Sequence, residues 1–122
     1  MNIVLNNGSE TPLYKQIYEQ LRSQIIKGEL EGSYCLPPIR SVALELRVSV
    51  ITVKKAWEEL EREGLIYTVT GRGCFVAPHK EPELADRRFE LAEAELRAAL
   101  ERAVSLGLSD SEIRALLEKL LG

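Results

Sequence analysis

A mainly α fold with one small β-hairpin is predicted for residues 1–78, followed by a linker at 79–82 and a helical tail at 83–122. Three observations predict it. Apolar residues recur at helical spacing in three successive segments between Thr11 and Gly64. Two β-rich runs then flank Gly71-Arg72-Gly73, as in a hairpin. Beyond Pro82 the composition shifts to Glu, Arg and Ala threaded by leucines.

The elements follow in order. Thr11-Pro12 reads as a helix start, with Thr11 as N-cap and Pro12 at the first helical position. Tyr14, Ile17, Tyr18, Leu21 and Ile25 form its apolar face, and Gly28 ends it. Gly32–Leu36 is loop-like with room for a small strand. Leu36-Pro37-Pro38 blocks helix before it, because a residue preceding proline avoids the α region. A short second helix follows, with Ile39, Val42, Ala43 and Leu46 on one face. Ser49 is a suitable N-cap for a third, whose stripe is Val53, Ala56, Trp57 and Leu60 and whose stop is Gly64.

Leu65–Thr70 and Cys74–Ala77 are the hairpin strands. Gly71 is expected to supply positive φ at the first turn position, as a type II′ turn requires. In the tail, Leu84, Phe89, Ala92, Leu96, Ala99, Leu100 and Ala103 make one stripe, broken at Gly107. Ser109 heads a final helix with Asp110 and Glu112 in its first turn, where the helix dipole favours anions. Its stripe is Ile113, Leu116, Leu117, Leu120 and Leu121.

Composition excludes several classes. The 122 residues hold no apolar run near the ~18 residues of a membrane span. Met1–Asn7 lacks the basic start and long apolar stretch of a signal peptide, so a cytoplasmic location is expected. Cys35 and Cys74 are too few for a disulfide framework, and with the single His79 they show no metal-ligand spacing. They are expected as two small buried hydrophobes and a solvated loop histidine. There is no paired nucleophile and base and no phosphate-cradling loop, so neither enzyme nor cofactor is expected.

Three helices and a hairpin form the element order of a winged helix. The turn Leu46–Ser49 has the length needed in a helix-turn-helix, whose second helix enters a DNA major groove. The residues go further. Pro12-Leu13-Tyr14 with Ile17, Leu36-Pro37-x-Ile39-Arg40, Val48-Ser49-x-x-Thr52-Val53, Leu60-Glu61-x-Glu63-Gly64-Leu65-Ile66 and Gly71-Arg72-Gly73-x-Phe75-Val76 resemble the GntR family of bacterial transcription regulators. The short helical tail is similar to the YtrA-type subfamily. That resemblance implies a homodimeric, sequence-specific DNA-binding regulator, expected to be a repressor, acting on a palindromic operator. Two positions depart from the family pattern. Pro38 stands where many relatives have a capping serine. Arg47 stands where glycine is common, at a strain of roughly 1–2 kcal/mol if it is left-handed; a phosphate contact could offset it.

The DNA surface follows from the wheel of the third helix. With Val53, Ala56, Trp57 and Leu60 inward, Ile51, Lys54, Lys55 and Glu58 face away, with Thr52 on one flank. Lys54 and Lys55 then suit phosphates or guanine edges, and Thr52 a phosphate or base. Two readings of Ile51 stand: contact with a thymine methyl, or packing under the N-terminal arm. Val50 shares that ambiguity. Ser49 combines capping with a phosphate contact. Thr70, Gly71 and Arg72 form the wing tip, where Arg72 can enter a minor groove or meet phosphate. The resemblance gives Arg40 a DNA contact. Trp57, Tyr14, Tyr18 and Phe75 are expected in the core.

The tail is read as the dimer-forming part, through Phe89, Leu96, Leu100, Ala103, Ile113, Leu116, Leu117 and Leu120. A small-molecule effector, if one exists, would have to bind at the dimer interface or the linker. The alternative function is a winged-helix protein-interaction module that uses the apolar tail and leaves DNA alone.

Net charge is −3, which looks unfavourable for nucleic acid. By region it is not. Residues 1–78 carry nine basic and nine acidic groups, and residues 79–122 carry seven and ten. Within 37–57, Arg40, Arg47, Lys54 and Lys55 face only Glu45; within 58–63, four glutamates face only Arg62. The third helix is basic at one end and acidic at the other.

Overall fold

The structure is a computed structural model that describes residues 1–122, with Glu81 described as backbone only. Its elements are α1 (Leu13–Ile26), α2 (Ile39–Leu46), α3 (Val50–Arg62), β1 (Ile66–Val69), β2 (Gly73–Val76), α4 (Glu81–Ser105) and α5 (Asp110–Leu121). They fall into two compact units, Met1–Ala85 and Asp86–Gly122.

The first unit is built around α3. Its Val53, Ala56, Trp57 and Leu60 are buried, and α3 packs against α1, α2 and β1. Ile17, Leu21 and Ile25 come in from α1, Val42 and Ala43 from α2, and Leu65, Ile66 and Val76 from the hairpin. Burying side chains of this size contributes about 1.5–3 kcal/mol each. The expected core tyrosines differ: Tyr14 and Tyr18 are only half-buried, because they sit on the edge of the α1 stripe.

The helix starts refine the sequence reading. Pro12, not Thr11, is the N-cap of α1, with φ −54° and ψ 147°. The proline ring holds that extended geometry, and its carbonyl accepts from the Lys15 and Gln16 amides. Pro38 serves α2 in the same way. Ser49 caps α3 with its side chain, accepting from the Thr52 amide at 3.1 Å.

The hairpin pairs Ile66 with Val76, Tyr67 with Phe75, Thr68 with Cys74 and Val69 with Gly73. The connection is therefore three residues, Thr70-Gly71-Arg72, not a two-residue type II′ turn. The Arg72 amide donates to the Val69 carbonyl at 2.9 Å, so Gly71 (φ 79°) occupies the second central position, as in a type II turn. The expected small strand is a single bridge, Cys35 to Phe75, on the far side of β2. Gly32 precedes it for a steric reason: a Cβ there would lie 2.9 Å from the Cα of Pro78. Cys35 is exposed and Cys74 only half-buried, contrary to the expected burial, because the bridge and the hairpin edge leave them at the surface. The Cys74 thiol lies 3.3 Å from the Thr68 hydroxyl. His79 is half-buried rather than solvated, and its Nε2 is shielded from solvent.

An arm precedes α1. Three glutamines one turn apart, Gln16, Gln20 and Gln24, grip it with their carboxamides. The amides of Asn6, Val4 and Asn2 donate to their Oε1 atoms at 2.8, 2.9 and 3.2 Å. Their Nε2 groups donate back to the carbonyls of the same three residues. The side chains thus imitate the neighbouring strand of a β-ladder.

The expected linker at 79–82 is shorter than that. α4 begins at Glu81, since proline is tolerated in a first helical turn, and Leu84 is buried in the first unit. In the second unit Gly107 (φ 92°) separates the helices. Ser109 and Glu112 form a reciprocal capping box at the start of α5. The backbone and side-chain hydrogen bonds from Ser109 hold the Glu112 carboxyl below its ordinary range.

Candidate nucleic-acid interface

The tip of α3 is presented from a fixed base. Four of its residues are buried behind it, and the hydroxyls of Ser49 and Thr52 lie 2.7 Å apart across the first turn. Val50 and Ile51 are exposed, Ile51 to 76%. It does not pack under the arm, which is held on α1 instead. Thr52 is half-buried on the flank, while Lys54 and Lys55 are exposed. Arg40, the second residue of α2, and Thr70, Gly71 and Arg72 at the wing tip are exposed as well.

The basic side chains of this surface are free of acidic partners: among the described residues, Arg40, Arg47, Lys54, Lys55 and Arg72 have no carboxylate within ion-pair distance. Elsewhere three arginines are paired on their own helices: Arg62 with Glu59 at 2.8 Å, Arg87 with Glu90 at 3.9 Å and Arg97 with Glu93 at 3.8 Å. Unpaired cations keep their charge available for an anionic partner.

Arg47 adopts the left-handed conformation, φ 57° and ψ 46°, and closes α2 with its amide donating to the carbonyls of Ala43 and Leu44. Arg47→Gly is expected to relieve about 0.5–1 kcal/mol after glycine's own entropic penalty. That corresponds to a Tm rise of about 2–8 °C in a thermal melt; a lower Tm would show that the arginine side chain supports the fold.

One residue of this surface escaped the sequence reading. The Lys55 ammonium lies 4.0 Å from the centroid of the Tyr14 ring. Nothing in the α1 stripe distinguishes Tyr14 from a core tyrosine, because the partner is 41 positions away.

The tail residues divide. Phe89 is exposed to 79%, and Leu96, Leu100, Leu116, Leu117 and Leu120 are exposed too, with Ala103 half-buried. Ile113 is not available to a partner: it is already 8% exposed within the single chain. Leu121, the last residue of the predicted α5 stripe, is exposed too, and Val104 and Leu106 add exposed apolar area that was not anticipated. Among the described residues no cluster of three His, Cys, Asp or Glu could hold a metal ion, and no helix is long and apolar enough to cross a membrane.

A helix held by its buried face, with its basic tip free beside a hairpin, is the arrangement of a winged helix-turn-helix transcription regulator. The chain belongs to the bacterial regulatory proteins of the gntR family, whose profile matches residues 13–76. It is 33% identical over 95 residues to the HTH-type transcriptional repressor YtrA of Bacillus subtilis (strain 168), covering 78% of this chain and 73% of that protein. YtrA from Sulfolobus acidocaldarius, a GntR-family transcription factor, superposes with a TM-score of 0.66 at 35% identity, covering 84% of this chain and 97% of its own. The structure of AraR(DBD) in complex with operator ORX1 aligns with a TM-score of 0.55 at 29% identity, covering 63% of this chain and 96% of that one.

Proposed function

We propose that this chain represses transcription by occupying a palindromic operator as a homodimer. The observation that carries the DNA reading is the two-faced α3: Val53, Ala56, Trp57 and Leu60 buried, Ile51, Lys54 and Lys55 exposed and without acidic partners. In this reading Val50, Ile51, Thr52 and Lys54 meet base edges or phosphates in the major groove. Lys55 meets phosphate. Arg40 and Ser49 fix the register on the backbone, and Thr70, Gly71 and Arg72 approach the adjacent groove. The tail, 86–122, supplies the two-fold through Phe89, Leu96, Leu100, Ala103, Leu116, Leu117 and Leu120. Two half-sites one helical turn apart, or a multiple of it, then follow from the symmetry. Residues 1–85 form the reading unit. Any small-molecule effector would act at the dimer contact or the linker, and the regulator works in the cytoplasm.

Selection of bound duplexes from a genomic fragment pool tests this reading: one enriched inverted repeat is expected. On that site Lys54→Gln should weaken binding and lower the salt slope, d log K/d log[salt], by about 0.9. A pool that returns no site, with the chain retained instead by a partner protein, would favour an interaction module.

A further inference from the structure

Two tyrosines one turn apart on α1 each carry a cation over the ring, but the two cations differ in their surroundings. Over Tyr18 lies the Arg22 guanidinium, 5.2 Å from the centroid, and the Tyr18 hydroxyl donates to the Glu63 carboxylate. That group holds acid and base together. Over Tyr14 lies the Lys55 ammonium, closer at 4.0 Å, and no carboxylate is within ion-pair distance of it. Glu59, one turn further along α3, is taken by Arg62. Lys55 is thus exposed, unneutralised and held by a ring from another helix.

A lysine on a free stem samples many rotamers, and an anion that binds it must order them. A ring face beneath the ammonium removes part of that loss beforehand, while the outer side of the ammonium keeps its donors for a ligand. We propose that Tyr14 is a positioning residue of the DNA interface: it holds Lys55 where a phosphodiester oxygen of duplex DNA takes the ammonium. The inference rests on the DNA reading of α3 and adds a residue from α1 to it. Tyr14 touches no DNA in this account and acts through Lys55 alone. The ligand is the backbone phosphate, so the effect is independent of sequence.

A mutant cycle on random-sequence 30-base-pair duplex, read by fluorescence anisotropy across a salt series, tests the proposal. Lys55→Gln is expected to weaken binding and to lower the salt slope by about 0.9, one phosphate contact. Tyr14→Leu should weaken binding about 2–5-fold, the equivalent of an exposed cation–π contact, with the slope unchanged because the charge remains. Tyr14→Phe, which keeps the ring, should bind as the parent does. The double variant Tyr14→Leu/Lys55→Gln should be no weaker than Lys55→Gln alone. Thermal melts of each variant separate loss of fold from loss of positioning. Additive losses, or a Tyr14→Leu chain that binds as the parent does, overturn the proposal and leave the DNA reading standing. A parent chain that binds no duplex overturns both.

Discussion

Replacing Leu96 and Leu100 together by aspartate is expected to leave α4 helical and to convert the proposed homodimer into monomers. Both leucines are exposed in the single chain, so the substitution removes no intrachain core. It places two charges in a stripe that includes Phe89 and Ala103 at heptad-related positions. Burying an unpaired carboxylate at such a contact is prohibitive, so association fails instead. The larger consequence is on DNA. Two linked reading units bind a palindrome with an avidity about 10²–10⁴ above that of one unit, and that factor is lost on dissociation. Sedimentation equilibrium and operator titration on the same samples check it. An unchanged mass would move the two-fold contact elsewhere, to Leu106 or the exposed end of α5.

Leu60→Ala is expected to have the largest effect on stability. Leu60 is fully buried on α3, at the end away from the basic tip. Truncating a leucine in such a site costs about 2–5 kcal/mol, because the lost transfer energy is joined by that of the cavity. A unit of this size loses roughly 4–8 °C of Tm per kcal/mol, so the transition falls steeply. DNA affinity measured well below that transition should be nearly unchanged, since no DNA-facing side chain is altered. A strong loss of affinity in the folded state would mean that α3 shifts along its axis when its rear anchor is cut. Denaturant titration and binding at low temperature distinguish the two.

The position of α3 was legible in the chain. Ser49 ahead of a Val53, Ala56, Trp57, Leu60 stripe marks a capped amphipathic helix, and helical geometry then fixes which residues face outward. Ile51 shows the limit. Its direction followed from the wheel, but its exposure depended on where the arm lies. Three reciprocal carboxamide grips draw that arm onto α1. The hairpin shows another limit. Gly71-Arg72-Gly73 announced a glycine turn, yet the register placed Val69 opposite Gly73 and lengthened the connection by one residue. Ile113 belonged to the same stripe as Leu116, Leu117 and Leu120, and only the folded unit separated it from them.

By itself, then, the sequence determined the order of elements, the buried face of each helix in the first unit and the basic tip of α3. These depend on local periodicity, capping and proline or glycine chemistry, all read within a few residues. The tertiary structure decided which cations stay unpaired, that Lys55 rests on Tyr14, that Arg22 and Glu63 gather at Tyr18 instead, and that Ile113 is closed to a partner. Those outcomes turn on which side chains meet across tens of residues, where a contact of 4.0 Å is set by the packing of α1 against α3 and not by any spacing along the chain.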